Sequence, residues 1–204
     1  MRLAAKIISY IFHPLLLVTY LVAILGLNIP RFLALPPESF LSFLGFVFAL
    51  TFVLPVANLV MFKAFGTVSS LQMPTRKERL FPFTVITLLY IVVTIMFYYK
   101  VKSNIYFNKV MVLVTAMVLV ATIVTFFYKI SVHSLAICGA LGILVPFNKA
   151  IETGSLLLPT VVLLLLAGLV MSSRLYLNAH TPRQVMFGAV AGYSIGFFGV
   201  FFFF

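Results

Sequence analysis

Seven stretches of the chain are close to continuously apolar, over residues 6–28, 40–62, 80–98, 109–128, 132–148, 155–172 and 184–204. None alternates with a period of two, so strands of a membrane barrel are not predicted. Crossing a bilayer core in helical form takes about 20 apolar residues, and each stretch approaches that length. The fifth is the shortest and is expected to be partly re-entrant. The breaks carry prolines, polar residues and charge: "NIPRFLALPPES", "TVSSLQMPTRKER", "YYKVKSNIYFNK", "PFNKAIETGS" and "SRLYLNAHTPRQV". Tyr98, Tyr99, Tyr106 and Tyr128 fall near the ends of apolar stretches, where amphipathic rings favour the headgroup layer. The first stretch is too long for a signal-peptide core and no small-residue cleavage site follows it, so it reads as a retained span. The pattern predicts an all-α, polytopic transmembrane helix bundle of about six or seven spans, forming a single integral membrane domain over 1–204.

Composition makes the bilayer the required solvent. The 204 residues are 64% hydrophobic with a mean hydropathy of +1.23, more apolar surface than a water-soluble domain of this size can cover. Fourteen basic residues stand against three acidic ones, Glu38, Glu78 and Glu152. The bases are scattered singly between apolar runs, without the basic stripe of a nucleic-acid reader, so anionic headgroups or an anionic substrate are the expected partners. The single cysteine, Cys138, excludes an internal disulfide.

With seven crossings, the N-terminus and the second, fourth and sixth connections share one side of the membrane. Those connections hold "MPTRKERLFPF", "YKISVHS" and "SRLYLNAHTPRQ". One mouth would then gather Arg76, Lys77, Arg79, Ser131, His133, Arg174 and His180. Arg174 offers a rigid fork of donors suited to phosphate or carboxylate. Ser131 is a preferred N-cap at a helix start, where free N–H groups attract anions. His133 beside it is suited to giving a proton to a departing oxygen. Gln184 follows His180 by four residues, so one helical turn would bring its amide to the imidazole. Phosphoryl transfer suits such a set, because catalysis there is mostly positioning and charge stabilisation. Glu78 is the only carboxylate on that side, so a magnesium or zinc site is not predicted, and no cofactor is expected. His13, followed by Pro14, reads as a kink or interfacial histidine. Spans nearly free of ionisable groups argue against a channel or transporter.

These residues also resemble a known family. Ser173-Arg174, five residues, His180, three residues and Gln184 resemble the third signature of the type-2 phosphatidic acid phosphatase superfamily, Ser-Arg, five residues, His, three residues, Asp. "SVH" at 131–133 resembles its second signature, Pro-Ser-Gly-His, with Ile130 and Val132 at the proline and glycine positions. "RKERLFP" is similar to part of the first, a lysine followed after six residues by Arg-Pro; here Pro82 lies three residues beyond Arg79, and Gln72 stands at the lysine position. The resemblance covers roughly residues 74–192, with two apolar stretches between the first two signatures. It implies a divergent bacterial member with a metal-independent lipid phosphohydrolase activity, acting on a polyprenyl pyrophosphate or a phosphatidate-like phosphate. His180 would attack phosphorus to form a phosphohistidine, and His133 would protonate the leaving oxygen. Arg174, with Arg79 and Lys77 or Arg76, would hold the phosphoryl oxygens, helped by Ser131. Gln184 would orient His180 where the family has an aspartate. The alternative it leaves is a weak or inactive relative that binds or transports a lipid phosphate.

The two sides do not differ decisively in charge. Arg2, Lys6, Lys63, Arg76, Lys77, Arg79, Lys129, Arg174 and Arg183 fall on the motif side, against Arg31, Lys100, Lys102, Lys109 and Lys149. Setting aside the cations that the chemistry itself requires reverses the excess, so the positive-inside rule does not orient the chain. An integral location in a bacterial inner membrane is expected.

Overall fold

A computed structural model describes residues 2–150 and 156–204, the side chains of Pro30, Lys149 and Ala150 excepted; Glu152 lies outside the described residues. Among the described residues helices run through each of the seven apolar stretches, and no strand occurs. The helices are α1 (Arg2–Ile11), α2 (Pro14–Asn28), α3 (Pro30–Leu33), α4 (Pro37–Phe48), α5 (Leu54–Ala64), α6 (Arg76–Met96), α7 (Ile105–Thr125), α8 (Val132–Ala150), α9 (Leu157–Tyr176) and α10 (Pro182–Phe203). Among the described residues, five helical segments are long and apolar enough to cross a membrane, namely α6, α7, α9, α10 and the continuous run Pro37–Ala64 that contains α4 and α5, and a sixth crossing follows if α1 and α2 count as one bent span. The fifth stretch gives a short apolar helix, Val132–Asn148. At 1.5 Å per residue it reaches about 25 Å, short of a full bilayer core. Only 17% of the most apolar window of Pro37–Ala64 is buried within the protein, so its outward apolar surface requires lipid. The chain is a multi-pass helical membrane protein.

Its contacts form two compact units, residues 1–30 with 130–204, and residues 31–129. In the second unit, α6 and α7 are joined by two hydroxyl pairs, Thr87–Thr122 and Thr94–Thr115, both at 2.7 Å. The pairs are seven residues apart on each helix, which fixes an antiparallel register. A π-helical turn, Ala49–Val53, links α4 to α5. Pro55 has no N–H to give the Thr51 carbonyl four residues back, and the buried Tyr90 hydroxyl donates to that oxygen instead at 2.8 Å.

In the first unit, the break between α1 and α2 has a local cause. Pro14 has no N–H for the Tyr10 carbonyl, and the His13 N–H takes that oxygen at 3.2 Å. The His13 side chain then caps α2, its Nδ1 accepting from Leu15 N–H at 3.4 Å, and the two helices meet at a 57° bend. His13 is therefore the kink residue that its Pro14 neighbour predicts.

Helices α8 and α10 approach more closely than side chains allow. Gly188, Gly192 and Gly196 place three glycines at four-residue spacing along α10, each against the backbone of α8 or the residue just before it. A Cβ on Gly188 would lie 2.6 Å from the Ser131 carbonyl oxygen, and one on Gly192 would lie 2.8 Å from the Leu135 carbonyl carbon. Gly142 on α8 meets the Tyr193 backbone in the same way. Small residues repeated every fourth position are the usual means of close helix approach in lipid. Here they bring the first turns of α8 and α10 together, and the Ser131 N–H donates to the Gln184 carbonyl at 3.3 Å.

Candidate functional site

The stretch from Ser173 to Gln184 is two helix caps in succession. Asn178 adopts a left-handed conformation, φ 53°, and ends α9. Ala179 N–H donates to the Arg174 carbonyl at 3.1 Å and Asn178 N–H to the Leu175 carbonyl at 2.9 Å, the paired bonds of a Schellman stop. Two residues later Thr181 caps α10, with Pro182 in the first turn and Gln184 closing a capping box. The stop holds Arg174 in the last turn of α9, and the start holds His180 just ahead of α10. The spacing of this motif is thus set by backbone capping.

Gln184 faces two groups at once. Its Oε1 lies 3.0 Å from His180 Nδ1 and accepts from Thr181 N–H at 3.3 Å. A backbone N–H can only donate, so the atom facing it is the amide oxygen and not the amide nitrogen. The same oxygen therefore accepts from His180, which places the proton on Nδ1 and the lone pair on Nε2. That is the tautomer a nucleophilic imidazole needs.

His133 occupies the first turn of α8. Ser131 caps that turn, its Oγ accepting from Ser134 N–H at 3.4 Å and sharing a bond with Ser134 Oγ at 2.9 Å. Ser131 is fully buried and its hydroxyl is engaged in this cap. His133 Nε2 lies 3.1 Å from the Ser9 carbonyl oxygen. A carbonyl accepts only, so Nε2 carries the proton and Nδ1 the lone pair. Nδ1 is buried and has no hydrogen-bond partner.

Arg174, His133 and His180 come together within this unit. His133 is within electrostatic reach of Arg174, His13 and His180, and Arg174 is within reach of Tyr10. The His13 and His133 rings meet edge to face, with centroids 5.8 Å apart and planes at 78°. His133 and His180 are both buried, while Arg174 is half-buried with its Nε sequestered and unbonded. Leaving such donors and acceptors unmade costs about 1–3 kcal/mol each, more for charged groups. A half-buried guanidinium with an unbonded Nε and an imidazole with an unbonded Nδ1 thus lie near two more imidazoles, leaving polar capacity in this part of the unit unmet.

Arg76, Lys77 and Arg79 belong to the other unit. Thr75 caps α6 and bonds Glu78 Oε1 at 2.8 Å, while Glu78 Oε2 accepts from Ser69 Oγ at 2.7 Å. Arg76 donates to the Phe126 carbonyl, Arg79 is buried with Nε donating to the Met73 carbonyl at 2.9 Å, and Lys77 is exposed. The site also includes His13 and the Ser9 carbonyl, which motif spacing does not indicate. Ala5 and Ser9, four residues apart and both buried, put one face of α1 inward.

No protein-family model, no curated protein and no solved structure matches this chain.

Proposed function

We propose that the protein is a metal-independent phosphatase of membrane lipids. It hydrolyses a phosphomonoester or pyrophosphate of a polyprenyl or phosphatidate-like lipid in a bacterial inner membrane. The observation that supports this reading is that His180, in its Nδ1-protonated tautomer, and Arg174 both lie within electrostatic reach of His133 in one unit, with His133 Nδ1 and Arg174 Nε unmatched. His180 Nε2 attacks phosphorus, forming a P–N bond as the bond to the leaving oxygen breaks. His133 Nδ1, which holds a lone pair in the free protein, takes the proton of the bound phosphate monoanion and gives it to that oxygen. Water then attacks phosphorus, the P–N bond breaks, and His133 Nδ1 takes the water's proton and returns it to the released phosphate, which restores both histidines. Arg174 holds the phosphoryl oxygens.

A second reading rests on Gln184, which is committed to the α10 capping box and carries no charge to support a cationic His180. In that reading the pocket holds a lipid phosphate without turning it over. The test is phosphate release from a panel of lipid phosphates in detergent, without added divalent metal, together with equilibrium binding of the same lipids. Turnover abolished by His180→Ala is expected. Turnover that survives His180→Ala overturns the mechanism, and tight binding without turnover selects the second reading.

A further inference from the structure

The bent first span contributes more to this pocket than a scaffold. We propose that His13 is a positioning residue that, with the Ser9 carbonyl, holds His133 in one orientation and one tautomer, so that Nδ1 is the nitrogen facing the reacting phosphate. The assignment to a reacting phosphate rests on the phosphatase reading; the positioning itself does not.

Three observations carry it. The Ser9 carbonyl accepts from His133 Nε2 at 3.1 Å, which leaves Nδ1 as the ring nitrogen without a partner. The His13 ring stands edge to face against His133 at 5.8 Å, and so packs against the imidazole that would otherwise rotate about its Cβ–Cγ bond. Rotation by half a turn would exchange Nδ1 with a carbon and break the Ser9 bond. His13 is itself fixed, because its Nδ1 caps α2 through Leu15 N–H at the bend. Ser9 is fixed as well, buried, with its hydroxyl bonded to the Ala5 carbonyl at 2.9 Å. The kink that Pro14 imposes is what turns both groups toward α8. A straight helix through residues 2–28 would need a Leu15 N–H bond to Ile11 and would leave no cap for His13 to make.

His13 does two jobs, and two substitutions separate them. His13→Asn keeps a strong cap and removes the ring. His13→Phe keeps a ring and removes the cap acceptor. The chain has only three histidines, so the full-length protein labelled with ¹⁵N-histidine in nanodiscs gives three imidazole pairs, assignable through His133→Gln and His180→Gln. We expect His133 to be a single Nε2–H species in the natural protein and in His13→Phe, and a mixture of tautomers in His13→Asn. With a lipid phosphate that is turned over, His13→Asn should lower kcat by roughly 10- to 100-fold at unchanged KM, as for a reacting group displaced by about 1 Å. His13→Phe should keep most of the kcat. A single, unshifted His133 species in His13→Asn overturns the proposal, whatever the activity. A tautomer mixture in His13→Asn in a protein that hydrolyses nothing sustains the positioning role and overturns the phosphatase reading.

Discussion

Adding one methyl group at Gly192 tests whether the approach of α8 and α10 builds the pocket. In Gly192→Ala the new Cβ would stand 2.8 Å from the Leu135 carbonyl carbon and 2.9 Å from its Cα, and closer still to the carbonyl oxygen. All three are backbone atoms of the facing helix, so no rotamer change relieves the clash. Ordinary carbon contacts lie at about 3.5–4.0 Å, so the helices must part by about 1 Å. Overpacking of this kind costs about 1–3 kcal/mol. The displacement is largest at the glycine stripe, one to two turns from Ser131, His133 and Gln184. The 3.3 Å bond between Ser131 N–H and the Gln184 carbonyl should be lost with it. A pocket opened by about 1 Å should lose on the order of 10²-fold in kcat. The assay pairs thermal unfolding in detergent with phosphate release from a lipid phosphate. Gly168→Ala is the control, because a Cβ there meets nothing within 4 Å. Unfolding and turnover in Gly192→Ala that match Gly168→Ala would refute the close-packing argument.

Gln184→Glu keeps the chain length and the capping box while adding the charge that supports a cationic His180. It should raise kcat at unchanged stability, and a rate equal to or below that of the natural protein in the lipid-phosphate assay counts against His180 as nucleophile. Asn178→Val forces a β-branched residue into the left-handed turn that separates Arg174 from His180. Thermal unfolding should show a loss of roughly 1–2 kcal/mol, whereas Asn178→Gly should unfold like the natural protein. Tyr90→Phe strands the Thr51 carbonyl beside Pro55, with an expected cost of about 1–3 kcal/mol in the same measurement; a variant as stable as the natural protein would mean that the π-helical turn satisfies that oxygen another way.

The helical, membrane-spanning character is plain in the sequence because it depends on apolar length, which a single chain records directly. Span boundaries are read to within a few residues for the same reason. The division of 1–28 into α1 and α2 is signalled by His13-Pro14, but the size of the bend is not, since it depends on which group caps Leu15. In the candidate site, the neighbourhood of His180 and Gln184 follows from their four-residue spacing. The approach of His133 to Arg174 does not follow from spacing, because it depends on how α8, α9 and α10 pack. A signal for that packing was present in Gly188, Gly192 and Gly196, whose spacing marks one face of α10 as a close-contact seam. Ser9 gave no signal at all, since its contribution is a backbone carbonyl and any residue supplies one.

One atom of Gln184 serves both the α10 cap and the contact with His180, the proposed nucleophile. Replacing the aspartate of a catalytic triad with asparagine costs about 10⁴ in rate because the neighbouring histidine is left in the wrong tautomer. That penalty does not carry over to this chain. Thr181 N–H approaches the same Gln184 atom as His180 Nδ1, and two donors on one atom require that atom to be oxygen. The capping box therefore forbids the amide flip that would put a donor against His180. What the glutamine leaves out is only the negative charge that would accompany an imidazolium or a phosphohistidine. In the proposed mechanism phosphate itself carries charge of that sign to Arg174 and His133. The cost of the neutral side chain then falls on the step in which His180 is cationic and the lipid has departed. Accumulation of the covalent intermediate, trapped by rapid acid quench and reduced in Gln184→Glu, is the kinetic signature this arrangement predicts.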